Sequence, residues 1–302
     1  MQLPDKNISP AESLHATSNE SLIRNVSDTA RLVAVDRAVE TERPDALFRD
    51  PFARRLAGER GARIAKSNPL GGRKSGVGWP IVTRTYVIDR MIQAHIAQGG
   101  DAVINLAAGL DTRPYRMDMP SSLQWIEVDL PEILAHKEEI LRAEKPVCPF
   151  ERVRLDLSDV SSRRELFARL GRQSRKALVI TEGLVVYLSS DEVALLAQDL
   201  AAQPSFRFWI LDLVSPKLLA TLQKRMTANL KQAAPFKFAP AEGPVFFAKF
   251  GWTTVEANSL LREAARLHRL PFYLVPISWL PDSHGTQPQR PWGGVCLFSR
   301  TS

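Results

Sequence analysis

The chain has 302 residues, 44% of them hydrophobic, and a formal net charge of +7. That is enough apolar material for a sizeable core, yet no apolar run approaches the roughly 20 residues a membrane span requires. The two cysteines, Cys148 and Cys296, form neither a disulfide framework nor a metal-ligand spacing, which suits a reducing compartment.

The basic groups Arg54-Arg55, Arg163-Arg164 and Arg172 to Lys176 lack interleaved aromatics. They describe a solvated basic face rather than a nucleic-acid site. The expected protein is cytoplasmic, with neither a nucleic acid nor a membrane as partner. Met1 to Glu20 is polar and reads as a disordered tail, and residues 21–302 read as one domain whose first part, 21–80, is a helical cover.

In chain order, Ser21 to Lys66 reads as helical, with Ser27-Asp28-Thr29 as capping residues and Leu32, Val33, Val35, Ala38 and Val39 as an apolar stripe. Asn68 to Gly78 is Gly-rich and reads as a mobile connector; it lacks the spacing of a phosphate-binding loop. Val82 to Ile96 is helical, with Arg84 in its first turn and Gly99-Gly100 closing it. Strands are predicted at Ala102–Leu106, Gln124–Asp129, Arg152–Leu157, Ala177–Gly183, Phe206–Val214, Pro271–Pro276 and Gly294–Arg300. Helices are predicted at Pro131–Ala143, Ser161–Leu170 (capped by Ser162 with Glu165), Ser189–Gln203 (capped by Ser189 with Glu192), Leu218–Gln232 and Glu256–Arg269. This alternation predicts an α/β fold: a doubly wound, mostly parallel, seven-stranded sheet covered on both faces.

The stretch that carries function runs from Asp101 to Asp129. A doubly buried strand ends in Ala107-Ala-Gly109, small residues that let a ligand come close to the backbone. Asp111, Thr112 and Pro114 then start a helix, and Asp129 ends the next strand, 20 residues beyond Gly109. Such a layout suits a nucleoside lying across the strand ends with its ribose on a carboxylate. The Gly-x-Gly-x-x-Gly dinucleotide pattern is not met, because Ala107 and Thr112 replace two of its glycines. Asp111 also puts an anion where a pyrophosphate would sit. S-adenosylmethionine has no phosphate and carries a sulfonium and an ammonium, so an acid-bearing turn favours it. A nicotinamide-dependent oxidoreductase and a non-catalytic nucleoside-binding protein on the same fold remain the alternatives.

The run Asn105-Leu-Ala-Ala-Gly-Leu-Asp-Thr-Arg-Pro-Tyr-Arg116 resembles the signature of the leucine carboxyl methyltransferase family, which includes bacterial S-adenosylmethionine-dependent methyltransferases and polyketide carboxyl O-methyltransferases. The likeness extends through Glu127-Val-Asp129-Leu-Pro131, Asp156-Leu157 and Thr181-Glu182-Gly183-Leu-Val-Val-Tyr187-Leu188, and back to Thr29-Ala30, Arg37-Ala38 and Asp50-Pro51. The resemblance implies S-adenosylmethionine as cofactor and residue roles as follows. Arg84 pairs with the methionine carboxylate. Ala107 and Gly109 lie under the methionine and ribose, Asp129 accepts both ribose hydroxyls, and Asp156 takes the adenine amino hydrogen beside the backbone of Leu157. Glu182 sits at the methionine end, and Tyr187 lines the opening toward the acceptor. The family usually has glycine at the position of Ala107, and alanine fits there if its backbone angles are ordinary.

The implied reaction is methyl transfer to oxygen, on a small-molecule or peptide carboxylate. Such an acceptor is already ionised at neutral pH and needs no general base. The five histidines have no ligand spacing, so no metal is expected; His95 and His268 read as helix-surface residues. Arg31, Arg37 and Arg43 are candidates for holding an anionic acceptor. The aromatic stretch Phe236 to Trp252 reads equally as acceptor pocket or as sheet cover.

Overall fold

The structure is a computed structural model that describes residues 26–67, 78–225 and 235–301. The expected disordered tail, the connector at 68–77 and the end of the helix toward Gln232 lie outside the described residues. Seven strands form one sheet in the order β3-β2-β1-β4-β5-β7-β6. They are β1 (Ala102–Leu106), β2 (Gln124–Asp129), β3 (Phe150–Arg154), β4 (Ala177–Thr181), β5 (Phe206–Val214), β6 (Trp252–Ser259) and β7 (Gly293–Arg300). Strands β1 to β5 pair in parallel, and β7 runs antiparallel to both β5 and β6. Only β7 is therefore reversed, as expected of a mostly parallel, doubly wound sheet.

The central strands read as unbroken apolar runs because successive residues serve opposite faces. Ile104, Leu106, Val179 and Leu211 pack on one side, against Leu166, Phe167 and Leu170 of α6 (Val160–Gln173) and Val193, Leu196 and Leu200 of α7 (Ser190–Ala201). Val103, Leu178, Ile180 and Ile210 pack on the other, against Val87, Ile88, Met91 and Ile92 of α3 (Trp79–Ala97). A third cluster joins α1 (Val26–Thr41) and α2 (Ala53–Ser67) to α5 (Pro131–Leu141) through Ala34, Leu56 and Ile133. The remaining α-helices among the described residues are α4 (Arg113–Arg116), α8 (Pro216–Arg225), α9 (Leu260–Arg266) and α10 (Val275–Ser278).

Several local expectations change. Ser189 and Glu192 do form a capping box, but α6 is capped by Asp159, which accepts from the backbone N–H groups of Ser161 and Ser162. Asp28 lies inside α1 and binds Arg60. Residues 252–259, part of which reads as helix, form strand β6, and Pro271–Pro276 is not a strand: a 3₁₀ turn at Phe272–Leu274 leads into α10. Strand β3 ends at Arg154, which leaves Asp156 and Leu157 in the following loop. The aromatic stretch is mainly cover: Phe238, Phe246, Phe247 and Trp252 are buried around Trp209 and Phe298.

His95 is buried, not on the helix surface, with its ring edge-on to Phe208 at 5.7 Å. Burial, with the Lys176 charge, pushes its pKa down to about 4. The folded protein therefore holds a neutral imidazole where the unfolded chain takes up a proton below about pH 6.5. Stability is complete above that pH and falls as the pH drops toward 4, by up to about 3 kcal/mol from this group. Urea unfolding between pH 7 and 4.5 is expected to show this loss, reduced in His95→Phe; an identical pH profile for the variant contradicts it.

Candidate functional site

Because β1 to β4 are parallel, the residues just after them meet at one edge of the sheet. Asp156, Asp129, Gly109 and Glu182 follow or end β3, β2, β1 and β4 in that spatial order, and Asp212 near the end of β5 extends the row. The sheet's carboxyl edge thus presents a line of acids with a tight turn in the middle, as the sequence predicts for four of these five.

The turn is held by Asp129. Its Oδ2 accepts from the Gly109 N–H at 2.6 Å, and its Oδ1 accepts from the Leu130 N–H at 2.7 Å. Each oxygen keeps a lone pair for a further donor. Asp156 is exposed; one oxygen accepts from the Ser158 N–H at 2.9 Å and the other faces no described partner. Leu157 beside it is half-buried, with its carbonyl taken by Arg163.

Ala107 departs from the ordinary backbone angles that alanine needs: its φ is +54°, in the left-handed region. Gly109 is also left-handed, with φ +51°, and there glycine carries no strain. At Ala107 the methyl group stands close to the following carbonyl, a conformation costing roughly 1–2 kcal/mol. The family's usual glycine would relieve it.

Arg84 lies at the carboxyl edge because α3 runs antiparallel to β1 and turns at Gly99 on the opposite edge. Its Nε donates to Glu182 Oε1 at 2.9 Å and its Nη1 to Asp212 Oδ2 at 3.1 Å. These bonds take two of five donors, so the guanidinium retains N–H groups for a carboxylate. Asp89, the alternative partner for Arg84, binds Arg113 and Arg116 instead.

Arg113 is one of the residues that sequence reasoning missed. Buried, it donates from Nε to Asp89 at 2.6 Å and from Nη1 to Asp111 and Glu182, both at 2.8 Å. Asp212 was missed too; its signal is one acid after the apolar run Phe208 to Leu211, and its second oxygen accepts from the Gly183 N–H at 2.6 Å. Burial alone would raise the Glu182 pKa, but Arg113 and Arg84 outweigh it and hold the carboxyl below its usual range. Asp111 is likewise held well down: Arg113, then Lys137 and Arg116, overcome its desolvation.

Three arginines (Arg84, Arg113, Arg116) thus face four carboxylates (Asp89, Asp111, Glu182, Asp212), leaving the site anionic. Asp36 of α1 adds to this. It sits against Gly78 at the start of α3, within electrostatic reach of Arg84 and Arg37, and has no hydrogen bond or ion pair with a described residue. Burial pushes its carboxyl up to about 6. Tyr187 is next to α1 through Thr29 and edge-on to Phe236 at 5.4 Å. Of the arginines considered for an anionic acceptor, Arg37 is buried on Asp50 and the Leu110 carbonyl, Arg43 binds Asp45, and Arg31 reaches the Leu56 and Ala57 carbonyls. All three serve the fold.

Residues 30–201 match the leucine carboxyl methyltransferase family, and the chain is 30% identical over 258 residues to a candidate S-adenosyl-L-methionine-dependent methyltransferase from Parafrankia, covering 82% of this chain and 83% of that one. The chain belongs to the leucine carboxyl methyltransferase family. A second candidate S-adenosyl-L-methionine-dependent methyltransferase, from Streptomyces coelicolor, is 36% identical over 185 residues; that match spans 58% of this chain and 64% of the relative, just under two thirds of its length. Among solved structures, a candidate methyltransferase from Thermobifida fusca aligns with a TM-score of 0.55 at 15% identity, over 95% of this chain and all of that one. A DUF574 family protein from Streptomyces avermitilis aligns at 0.53 and 16%, over 91% and 97%. These two establish the shared fold, and family membership bears out the resemblance read from Asn105 to Arg116.

The strained alanine generates a prediction. Ala107→Gly is expected to raise stability in urea unfolding by about 1 kcal/mol, since strain relief exceeds the entropy that glycine returns to the unfolded chain. A loss of stability would show that the Ala107 methyl group makes packing contacts worth more than the strain.

Proposed function

We propose that this chain is an S-adenosylmethionine-dependent O-methyltransferase acting on a carboxylate of a small molecule or peptide end. The observation that carries the cofactor reading is the anionic carboxyl edge: it suits a ligand bearing a sulfonium and an ammonium and opposes a pyrophosphate. The donor set fits. Asp129 has lone pairs for the ribose hydroxyls, Asp156 an oxygen for the adenine amino group, and the Leu157 backbone lies beside that position. Arg84 has N–H groups for the methionine carboxylate, Glu182 supplies negative charge next to it, and the Ala107–Gly109 turn lies between.

When bound, S-adenosylmethionine supplies an electrophilic methyl group on a positively charged sulfur. The protein's share is to bind, orient and exclude water. Sheet order sets the direction. With adenosine over β3 and β2 and methionine over β1 and β4, the acceptor end falls toward β5, where Tyr187, Asp212 and Asp36 gather. A carboxylate acceptor is ionised already and requires only alignment, and the family's leucine carboxyl chemistry supports that reading.

Calorimetry tests the cofactor assignments. Asp129→Asn is expected to weaken S-adenosylmethionine by at least about tenfold, since charge-assisted hydrogen bonds are worth about 1.5–3 kcal/mol each. Arg84→Lys is expected to weaken S-adenosylmethionine but not adenosine, which lacks the carboxylate that a planar fork binds. Unchanged affinity in Asp129→Asn removes the ribose role, and equal losses for both ligands in Arg84→Lys assign Arg84 to the fold.

Asp36 favours a second reading, a hydroxyl acceptor. An unpartnered carboxyl with a pKa of about 6 at the acceptor end can take a proton from an O–H group. Asp36→Asn then abolishes turnover of a hydroxyl acceptor and flattens the rise in rate through pH 6. Full activity on a carboxylic acid with no such rise returns the assignment to the carboxylate.

A further inference from the structure

The segment between α9 and β7 contains Pro271-Phe-Tyr-Leu-Val-Pro-Ile-Ser-Trp-Leu280, whose first part, Pro271–Pro276, reads as a strand and is not one. Its apolar side chains face outward: Phe272 is 87% exposed, Trp279 76%, Tyr273 and Leu280 60% each, and Ile277 48%. Five of the nine exposed large hydrophobic residues among those described thus fall within nine consecutive positions. The two most exposed aromatics alone offer on the order of 300 Å² of apolar surface. Single exposed hydrophobics are ordinary, whereas five within nine residues, with Phe272 and Tyr273 edge-on at 5.6 Å, have the density of a contact surface.

The patch is built on a fixed frame. Leu270 and Ser278 are buried, and the Ser278 hydroxyl donates to the Val275 carbonyl at 2.7 Å. The Trp292 indole N–H donates to Asp282 at 2.9 Å, and prolines at 271, 276 and 281 limit the backbone. Its charge is distinctive. Arg262 Nη2 donates to the Leu280 carbonyl at 2.7 Å and Arg290 Nη1 to the Pro281 carbonyl at 3.5 Å, so both exposed guanidiniums border the apolar run. Neither has a carboxylate partner among the described residues, whereas Arg266 and Arg269 are neutralised by Glu263 and Glu40. The one acid in the segment, Asp282, is turned inward onto Trp292. The segment leaves β6 and rejoins β7 at the carboxyl edge, since Ser259 and Val214 face Gly294 and Gly293.

We propose that this strap seats the protein on an anionic lipid surface, with Phe272, Tyr273, Ile277, Trp279 and Leu280 entering the headgroup–acyl boundary and Arg262 and Arg290 meeting the lipid phosphates. No helix among the described residues is long and apolar enough to cross a membrane, so the contact is peripheral. Aromatic rings with polar edges favour that boundary, and binding there grows with apolar area and with cation–anion attraction. A protein partner would need a separate pocket for each protruding ring, whereas a fluid interface accepts them at any spacing. The inference goes beyond the proposed methyl transfer and revises the expectation of no membrane partner.

The full-length protein is mixed with vesicles of phosphatidylcholine alone or with added phosphatidylglycerol. Trp125, Trp209, Trp252 and Trp292 are buried and Trp79 is half-buried, so a Trp79→Phe background assigns the change in emission to Trp279. The expected results are co-sedimentation favouring the anionic vesicles, a blue shift of emission, and quenching by brominated acyl chains. Phe272→Asp with Trp279→Asp is expected to lose vesicle affinity at least tenfold at an unchanged melting temperature. Arg262→Gln with Arg290→Gln is expected to remove the preference for phosphatidylglycerol. Both pairs should bind S-adenosylmethionine as the parent does, which separates this test from the cofactor reading. Absence of binding to either vesicle overturns the proposal. So does a dimer in light scattering that the double aspartate variant converts to monomer, which would make the strap a protein interface.

Discussion

One buried guanidinium organises the carboxyl edge. Arg113 ties together Asp89 on α3, Asp111 in the turn after β1 and Glu182 at the end of β4. Three elements distant in sequence are thereby held at one point, and Arg84 joins the same group through Glu182. Removing it would leave buried Asp111 without its ion-pair partner, while Asp89 keeps Arg116 and Glu182 keeps Arg84; breaking a buried pair in this way typically costs about 3–5 kcal/mol. The ionic cluster is therefore part of the framework that places the backbone turn, as well as the source of the local field.

That field has a sign. The arginines do not neutralise the acids around them, and the excess lies where a cationic methyl donor would place its charge. The turn itself is under strain at Ala107 yet anchored at Gly109 by Asp129, so the same carboxylate that would hold a ribose also fixes the loop beneath it. Under the proposed assignment binding and local folding would be coupled at Asp129, and substitutions there that keep a hydrogen-bond acceptor are the informative ones.

Much of this was legible in the residues. The strands β1 and β4 announce themselves because burial on both faces leaves little room for polar side chains, and Gly109, Asp129, Asp156 and Glu182 are readable as strand-end residues once the strands are placed. The illegible parts share a cause: they depend on partners remote in sequence. Arg113 reads as a motif residue until Asp89 and Glu182 close around it, and Asp212 is the one acid of β5. His95 reads as a surface position, although Gly100 and Phe208 enclose it. Strand β6 has a largely exposed pattern that mimics the start of the helix following it, and Pro271–Pro276 has the composition of a strand but begins a surface segment.

The most direct measurement is a crystal structure of the protein with S-adenosylhomocysteine. The account predicts the nucleoside across the ends of β2 and β3, its ribose hydroxyls on Asp129, its amino group on Asp156 and its carboxylate on Arg84. Density for the ligand at the opposite edge of the sheet, in the shallow basic recess of Arg175, Lys176 and Arg207, would contradict it. So would a ribose placed away from Asp129 with the Arg84–Glu182 pair untouched.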